Sequence, residues 1–450
     1  MTVMQRLSGY IARAPKRPLP AAVAEKTKHH VLDTIAAMVS GSRLLPGRKA
    51  ISFAKTRGGT KEACVVGDGF LTTAENAALA NGMLAHADET DDSHAPSLTH
   101  PGCGIVPGAL AIAEREQSSG EALLRAVALG YDVGCRLTMS LNAYEFREDG
   151  HSTHSFGPMF GAAAASAALL RLKDSQVRHV LSYTAQQASG ISCWMRDEEH
   201  VEKAFDFGGM PARNGVAAAA MVAHGFTGVE DALSGERSFF VAYGREPKPE
   251  KLVDGLGEIY EIMNTNIKRW SVGSPIQAPL DALSVLLEEK FDVDAVEKVV
   301  VRVAHQGANT TNNRDMPDIC MQHLCAVMIL DGTVSFKSSH DEGRMKDPKV
   351  LALRKKVELL GDDALTRAMP SRQGIVEVFL RGERRLRHHM QAVRGTAENP
   401  MTLAEVDAKG YDLVAPVLGR DRARKLCDAI WSLDRLKDVR KLRTLLKEKR

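Results

Sequence analysis

Acidic and imidazole side chains are concentrated between residues 85 and 102. This segment contains four carboxylates and three imidazoles, with hydroxyl groups among them: Asp88, Glu89, Asp91, Asp92, His86, His94, His100, Ser93 and Thr99. Carboxylates beside groups that titrate near neutral pH are what enzymes use for proton transfer. A solvated acidic helix end is the plainer explanation, but it does not account for the histidines or for the Thr-His-Pro-Gly turn at 99–102.

A second set of reactive side chains is basic. Lys203 precedes the glycine pair at 208–209, and Lys268 and Arg269 lie in a segment that continues with Trp-Ser-Val-Gly-Ser-Pro. A lysine in such a setting can anchor a substrate carboxylate or act as a base, although a lysine taken alone is more often a surface residue. The loop 150–157, Gly-His-Ser-Thr-His-Ser-Phe-Gly, precedes an alanine-rich helix whose N-terminus favours an anion.

Helices must position most of these residues. The spacing of apolar side chains predicts helices over 23–38, 76–87, 121–141, 158–172 and the second part of 201–224, which follows the glycine pair at 208–209. The acidic segment begins at the end of the second of these helices. Thr72-Thr-Ala-Glu75 is a predicted capping box for that helix, and Thr402-Leu-Ala-Glu405 is another near the C-terminus. A last helix, basic on one side, is predicted over 431–450.

The pattern changes to period two at Val296–Ala304 and at Ile375–Leu386, where two strands are predicted to meet at Gly382. Helical patterns at 279–289 and 322–331 lie between these strands. The sequence therefore predicts a mainly α protein. A large all-helical domain, formed by residues 1–265 and 395–450, is interrupted by a smaller inserted α+β lid domain at 266–394.

Composition restricts the class of protein. The chain has 450 residues, 44% of them hydrophobic, which is enough for a large core in two or three domains. Its net charge of +3 and aromatic content of 5% argue against nucleic-acid binding. Seven cysteines without a Cys-x-x-Cys pair, together with the lack of a signal peptide or a membrane-length apolar run, predict a cytoplasmic protein with no membrane partner.

Seven segments, taken in chain order, resemble those of the MmgE/PrpD family, which includes 2-methylcitrate dehydratase, cis-aconitate decarboxylase and an iminodisuccinate epimerase. The segments are Asn81-Gly82 with His86–His94, Thr99-His100-Pro101, His151-x-Thr153 with Phe160-Gly-Ala-Ala-Ala-Ala, Lys203 with its downstream glycines, Asn266-Ile-Lys268 with Leu280-Asp-Ala282, Leu330-Asp-Gly332, and Asn399-Pro-Met-Thr402. They extend over nearly the whole chain.

The resemblance implies a pocket between the helical body and the inserted domain, no metal or organic cofactor, and a small di- or tricarboxylate as substrate. Carried over by motif, the family's site residues are Glu89, Asp91, Ser93, His100, His151, Lys203 and Lys268. We further predict that Thr99, Thr153, Arg269 and Gln277 bind substrate and that His323 exchanges a second proton. His154 remains an alternative to His151, and we expect a homodimer.

The sequence also departs from the decarboxylase and methylcitrate dehydratase patterns. Glu89 replaces an aspartate, His323 replaces a tyrosine, and Gly273 and Gln277 occupy positions where relatives often carry histidine. An imidazole with an unperturbed pKa of ~6.5 permits other proton transfers at neutral pH than a phenol of ~10. These departures argue against decarboxylation.

We therefore expect a cofactor-independent enzyme that removes the α-proton of a small di- or tricarboxylate. The favoured reaction is that of a hydro-lyase similar to 2-methylcitrate dehydratase. The alternative is an epimerase that inverts a dicarboxylate such as iminodisuccinate with two bases on opposite faces, for example His100 and His323.

Two other classes of protein fit the sequence less well. Asp88-Glu-Thr-Asp-Asp92 is similar to the motif with which all-α prenyl-transfer and terpene enzymes hold Mg²⁺, but no second such motif and few aromatic residues accompany it. A non-catalytic helical scaffold of repeats is disfavoured because the chain shows no repeat of 20 to 50 residues.

Overall fold

The computed structural model describes residues 1–448, and the chain divides into two compact units. The first unit combines Met1–Thr265 with the residues from Val406 onwards, and the second is Asn266–Glu405. Mainly helical structure is confirmed, with small sheets. The role of the second unit as a lid remains a prediction.

The N-terminal part of the first unit is helical apart from one short hairpin. Its helices are α1 (Val3–Arg13), α2 (Ala21–Gly41), α3 (Leu45–Lys55), α4 (Ala74–Ala85), α5 (Pro101–Arg115), α6 (Gly120–Ser140), α7 (Ala143–Glu148), α8 (Thr153–Leu169), α9 (Asp174–Gln187), α10 (Val201–Ala204), α11 (Met210–Ala223) and α12 (Phe239–Tyr243). Strands β1 (Ala63–Cys64) and β2 (Leu71–Thr72) pair antiparallel between α3 and α4.

The helix that leads into the acidic segment is confirmed, but its predicted cap is wrong by one residue. Thr73, and not Thr72, is the N-cap of α4, and its side chain accepts a hydrogen bond from the backbone N–H of Asn76. Thr72 belongs to β2, where it pairs with Ala63, so strand pairing removes it from the cap.

Small residues let the central helices of the first unit approach closely. A Cβ added to Gly130 would lie 3.0 Å from the carbonyl oxygen of Gly161, and one added to Gly134 would lie 2.8 Å from that of Gly157. These contacts bring α6 close against the alanine-rich helix α8.

The second unit consists of a four-stranded sheet and short helices. Its elements are α13 (Gln277–Leu287), β3 (Val296–Val303), α14 (His305–Thr311), α15 (Met321–Asp331), α16 (Phe336–Ser339), α17 (Pro348–Arg354), β4 (Val357–Gly361), α18 (Asp363–Arg367), β5 (Gly374–Leu380) and β6 (Arg384–Met390). The strand order is β4-β3-β5-β6, with β3 parallel to β4 and antiparallel to β5. The predicted strands are confirmed, and the β5–β6 hairpin turns at Gly382, where φ is +79°.

The second unit extends eleven residues beyond the predicted end of the insertion at 394. Hydrogen bonds within this unit hold the extra segment. The Ile267 N–H donates to the Gly395 carbonyl at 3.0 Å, and the Arg394 guanidinium binds the Glu405 carboxylate. The capping box between Thr402 and Glu405 is confirmed.

The C-terminal part contains α19 (Leu403–Leu418) and α20 (Arg420–Trp431), but the predicted helix over 431–450 is wrong. Residues 433–435 and 439–444 form short 3₁₀ segments instead, and residues 449–450 lie outside the described chain. The backbone there bonds to other parts of the first unit: Gly120 N–H donates to Leu436 O, and Gly67 N–H donates to Leu446 O. These long-range bonds compete successfully with helical ones.

Among the described residues, no helix combines the length and the apolar character needed to cross a membrane.

Candidate active site

Asp91 lies between two histidine rings in the first unit. Its Oδ2 is 2.9 Å from Nδ1 of His86, and its Oδ1 is 3.0 Å from Nδ1 of His100. Asp91 and His86 are completely buried, whereas 12% of the His100 side chain is exposed. His100 precedes Pro101, the first residue of α5, and His86 follows α4, so two helix ends define this arrangement.

Electrostatics keep Asp91 ionised. Burial alone would raise the pKa of the carboxyl group, but the adjacent His86 and His100 rings outweigh it and hold the pKa well below its usual range. An ionised carboxylate only accepts hydrogen bonds, so the Nδ1 atom of each ring is the donor. When such a ring is neutral, its lone pair therefore resides on Nε2, which is the tautomer required of a base.

The Phe207 ring lies between the imidazoles of His86 and His154. Its ring stacks on His154 with centroids 3.8 Å apart and on His86 with centroids 4.2 Å apart. Phe207 lies in a π-helical turn, Phe205–Gly209, between α10 and α11. This turn approaches α4 closely, since a Cβ on Gly208 would lie 2.1 Å from the Gly82 carbonyl oxygen. Two facing glycines thus place the aromatic ring against the histidines, and π-turns of this kind are frequent at functional sites.

His154 and His200 are neutral at physiological pH. Burial lowers the pKa of His154 well below its usual value, and the neighbouring His100 and His86 lower it further. Burial also lowers the pKa of His200, followed by the effect of the Lys203 ammonium. The His154 ring centroid is 5.3 Å from that of His100, and the His200 centroid is 5.1 Å from that of His86. Four imidazoles therefore form one cluster.

A cation and an anion lie beside this cluster. The Lys203 ammonium forms a short ion pair with the Glu89 carboxylate. It also lies 5.3 Å from the centroid of the Phe207 ring and 5.6 Å from that of Trp194. The aromatic faces add a cation–π attraction that holds the ammonium next to the histidines.

Asp92, the next residue after Asp91, serves a different network. Its Oδ2 accepts hydrogen bonds from Tyr131 Oη at 2.5 Å and from His30 Nδ1 at 2.7 Å, while its Oδ1 accepts from the Gly102 backbone N–H. Burial lowers the pKa of His30 to about 4, so this ring is a neutral donor. The network ties the acidic segment to α2, α5 and α6.

Lys409 of α19 supports the same segment from the C-terminal part. Its ammonium lies 2.5 Å from Asp33 Oδ1 and donates to the Thr90 carbonyl oxygen at 3.0 Å. Burial raises the pKa of Asp33 to about 6 against the opposing effect of Lys409. The Thr90 backbone N–H and hydroxyl in turn bind the Asp88 carboxylate.

Two predicted substrate-binding residues, Ser93 and Thr99, lie in the loop before α5, and a third, Thr153, is the first residue of α8. The Thr99 hydroxyl is 2.6 Å from that of Ser97, and its backbone pairs with His94. The Thr153 hydroxyl donates to the Leu98 carbonyl at 2.5 Å, so both threonines hold the loop together. Ser93 is half-buried beside Asp92. Their substrate contacts remain predictions.

The structure places His154, and not the preferred His151, in the histidine cluster. The His151 ring stacks on Phe146 with a centroid distance of 4.5 Å and contacts Tyr243 edge-on. Residues 151 and 154 differ in position because α8 begins at Thr153, so one histidine precedes the helix and the other lies in its first turn. We therefore replace His151 by His154 in the candidate site.

The other predicted site residues belong to the second unit. Lys268 is buried. Arg269 lies over Trp270 and binds Asp281 at 3.3 Å. The Gln277 side-chain oxygen accepts from the Trp270 N–H, and its nitrogen donates to the Trp270 and Val272 carbonyls. These bonds give Gln277 a structural role in folding the 270–272 segment.

His323 is buried in α15 among apolar side chains. Its two ring nitrogens have no hydrogen-bond partner within residues 1–448. Burial lowers the pKa of this ring to about 4, and Arg354 and Arg344 contribute to the decrease. Its predicted role as a second proton carrier remains a prediction.

Several members of the two networks were not predicted from the sequence. His86 was noted in the acidic segment but not assigned to the site, and His30, His200 and Phe207 were not noted at all. His30 is one of several polar residues inside a helix, so only tertiary structure reveals its partner. A signal was available for Phe207, because the glycine pair after it permits a close helix approach.

The structure also brings together residues whose types suit a metal ion. One ring nitrogen of His86, one of His200 and a carboxylate oxygen of Glu89 lie within 4.8 Å of one another, and so do ligand atoms of His86, Asp91 and Cys103. The spacing of these residues along the chain does not reveal either group.

Comparisons with known proteins cover most of the chain. Residues 5–252 match the model of the MmgE/PrpD N-terminal domain, and residues 270–435 match that of the MmgE/PrpD C-terminal domain. A cis-aconitate decarboxylase from Aspergillus terreus is 24% identical over 464 aligned positions, which cover 95% of this chain and 92% of that protein. The cis-aconitate decarboxylase-like protein oryM from Aspergillus oryzae is 26% identical over 319 positions, which cover 66% of this chain and 64% of the relative.

Proposed function

Since the chain belongs to the MmgE/PrpD family, we propose that it is a lyase acting on a small di- or tricarboxylate, in which a histidine held by Asp91 transfers the proton next to a carboxylate. The favoured reaction is the loss of water from a β-hydroxy acid, as in 2-methylcitrate dehydratase. One observation carries the proposal: the ionised, buried Asp91 carboxylate is hydrogen-bonded to Nδ1 of both His86 and His100.

His100 is the proposed base. With Nδ1–H donated to Asp91, its Nε2 can accept a proton, and the imidazolium that forms is stabilised by the adjacent carboxylate. The 12% exposure of the His100 side chain, against none for His86, favours it as the ring that meets a substrate.

Lys203 is the proposed partner of a substrate carboxylate. Removal of an α-proton generates an enediolate, and a fixed ammonium stabilises the charge that develops on its oxygens. Lys203 has the required charge, and its aromatic neighbours Phe207 and Trp194 hold the ammonium near the four imidazoles. A substrate carboxylate would compete with Glu89 for it.

Dehydration is balanced without a redox partner. The Cα–H bond breaks and its proton goes to Nε2 of His100. The electron pair then forms the carbon–carbon double bond as the Cβ–O bond breaks. The leaving hydroxide takes a proton from a general acid and becomes water. General acid and base groups each contribute ~10²–10⁴-fold to such steps.

Decarboxylation is the second candidate, and it is favoured by the names of the relatives from Aspergillus. In that reaction the carbon–carboxylate bond breaks, carbon dioxide leaves, and the carbanion accepts a proton from an imidazolium. The same histidine would then act as an acid. The departures at Glu89 and His323 from the decarboxylase pattern are the reason for ranking it second.

Incubation with a panel of di- and tricarboxylates in D₂O, followed by proton NMR, tests the proposal. Dehydration produces a new alkene signal with all carbons retained, decarboxylation produces a product with one carbon fewer, and inversion exchanges the α-proton and gives a diastereomer. The matched control is the His100→Ala variant, which should be inactive in each assay.

Two outcomes would refute the proposed chemistry. The first is the absence of any exchange, alkene or carbon dioxide across the panel. The second is activity that EDTA removes and Mg²⁺ restores, which would favour the diphosphate-binding alternative.

A further inference from the structure

Two buried histidines and one glutamate converge beside the proposed proton-transfer site. We propose that His86, His200 and Glu89 form a binding site for a divalent transition-metal ion such as Zn²⁺, in competition with the Lys203 ammonium. This inference concerns binding and is independent of which reaction the enzyme catalyses. Its observations are the geometry of the ligand atoms and the unused nitrogen atoms of the two rings.

The ligand atoms are close enough for one ion. The three atoms lie within 4.8 Å of one another. Zinc binds imidazole nitrogen and carboxylate oxygen at about 2.0–2.2 Å, so two ligands on a tetrahedral ion lie about 3.4 Å apart. Binding therefore requires the three ligand atoms to move closer together, and the fold already places the three residues beside one another.

The two histidines provide the independent observation. Nε2 of His86 and Nε2 of His200 are buried, and neither has a hydrogen-bond partner within residues 1–448. A buried nitrogen without a partner has given up its hydrogen bonds to water without gaining another. An ion that accepts both lone pairs removes this cost, so the pair of rings favours a ligand that is a Lewis acid.

Asp91 completes a recurrent feature of metal sites. Its carboxylate is 2.9 Å from Nδ1 of His86, on the opposite side of the ring from Nε2. A carboxylate behind a histidine fixes the tautomer with Nε2 unprotonated and increases the basicity of the ligand. The carboxylate–histidine–metal arrangement thus requires no change at Asp91 or at Nδ1 of His86.

The donor set selects the class of ion. Two imidazoles and one carboxylate suit Zn²⁺, Co²⁺ or Fe²⁺, whereas Mg²⁺ and Ca²⁺ prefer a site built from oxygen atoms. Three protein ligands leave the fourth position of a tetrahedral ion open for water or a substrate carboxylate.

The second group of possible ligands, which contains Cys103, is a weaker candidate. The Cys103 sulfur lies 3.1 Å from the His100 carbonyl oxygen and 3.4 Å from that of Phe207, so the thiol already donates within the protein. Asp91 is likewise engaged by both His86 and His100. A metal there would break these contacts, whereas the His86–Glu89–His200 group uses unpartnered nitrogens.

Lys203 makes the proposal specific. Its ammonium now pairs with the Glu89 carboxylate, and two cations cannot share that carboxylate without strong repulsion. Binding of the metal must displace Lys203. Replacing this lysine by an uncharged residue of similar length should therefore increase metal affinity, which a merely adventitious surface site would not show.

The test is calorimetric titration of the full-length protein with zinc sulfate after treatment with EDTA and its removal by dialysis. His200→Gln and Glu89→Gln should each weaken the tightest site about 10–100-fold, and Lys203→Met should strengthen it at least about tenfold. His305→Gln is the control, because this exposed histidine binds Asp363 far from the site in sequence and should leave the affinity unchanged.

Cobalt provides an independent readout. Co²⁺ bound at this site should give the visible absorption of a four-coordinate ion without a thiolate charge-transfer band, and Mg²⁺ should not compete with it. Because Cys193 is partly exposed beside Glu202, the Cys193→Ser variant identifies zinc bound there instead.

Three results would overturn the proposal: no zinc binding by wild type and Lys203→Met alike, loss of binding in Cys193→Ser, or equal affinity in wild type and Lys203→Met. Because the last variant is expected to gain affinity, misfolding cannot imitate a positive result.

Discussion

Asp91 and Asp92 are adjacent, both are completely buried, and both bind histidine, yet they belong to different networks. Asp91 accepts from two imidazoles, one of which is partly exposed to solvent. Asp92 accepts from His30, Tyr131 and a backbone N–H, groups that lie in the helical core. One carboxylate orients groups that can exchange protons, and the other holds the loop that carries them.

Residue type and burial therefore do not distinguish a functional carboxylate from a structural one. The difference lies in the partners: the groups that bind Asp92 are a phenol, a neutral imidazole and an amide with no exposed end, while the His100 partner of Asp91 has an accessible ring.

Removal of the proposed base should have the largest effect. His100→Ala should lower kcat by ~10²–10⁴-fold, because it removes the proton acceptor that Asp91 orients. Steady-state kinetics on the substrate found by NMR measures it. His224→Ala is the control, since that ring binds the Ala220 carbonyl at the end of its own helix. A decrease of less than about tenfold would assign the base to another group.

Loss of the Lys203 ammonium should mainly weaken substrate binding. A hydrogen bond to a charged group contributes about 1.5–3 kcal/mol, so Lys203→Met should raise KM about 10–100-fold. A smaller effect on kcat is expected if the lysine binds ground state and transition state alike. Measurement of kcat and KM over a range of substrate concentration separates the two. An unchanged KM with a lower kcat would indicate a role in the transition state only.

The structural carboxylate should affect stability and not turnover. Asp92→Asn leaves one of the donors from His30, Tyr131 and Gly102 without a full acceptor, so the free energy of unfolding should fall by about 1–3 kcal/mol. Urea unfolding measures this change. The kcat of the folded variant should stay within a few-fold of wild type. A loss of turnover as large as that of His100→Ala, with unchanged stability, would reverse the assignment of the two aspartates.

The smallest expected effect is on stability at acid pH and concerns His323. Its pKa is lowered to about 4 in the folded chain, below the ~6.5 of an unfolded one, so its neutral form stabilises the fold above pH 6.5 and this contribution is lost as pH falls towards 4. His323→Leu removes that loss. The Tm of the variant minus that of wild type should therefore be larger at pH 4.5 than at pH 7, by about 2 °C or more.

The Tm of the variant must be compared with that of wild type at each pH, because buried carboxyl groups change stability with pH in the opposite direction to His323. Burial raises the pKa of Glu114 to about 7 and that of Asp132 to about 7, so their contribution to stability is lost as pH rises. Both are present in wild type and variant and cancel in the comparison. A Tm difference independent of pH would show that His323 does not titrate as described.

Much of the fold could be predicted because its signals are local. The helix before the acidic segment, the strand at 296–303 and the hairpin at Gly382 follow from periodicity and turn residues. The prediction of a C-terminal helix was wrong because the Leu436 and Leu446 carbonyls accept hydrogen bonds from the N–H groups of distant glycines in place of helical ones. Such bonds leave no pattern in the sequence.

Most of the candidate-site residues predicted from the sequence are neighbours in the chain. Glu89, Asp91 and His100 lie within one segment, and Lys203, which is distant in sequence and was predicted from the family resemblance, forms an ion pair with Glu89. The choice between His151 and His154 depends on the residue at which α8 begins, which sequence cannot fix to within two positions. His30 and His200 join the site networks through contacts between distant helices.

The central claim is that Asp91 acts on catalysis through the histidines it holds. The most direct test is the Asp91→Asn variant, assayed by NMR for exchange of the substrate α-proton in D₂O and by thermal unfolding. An amide cannot keep Nδ1–H donors from both His86 and His100, so exchange should fall by ~10²–10⁴-fold in a variant that thermal unfolding shows to be folded at the assay temperature. Exchange at the wild-type rate in a folded Asp91→Asn protein would contradict the account.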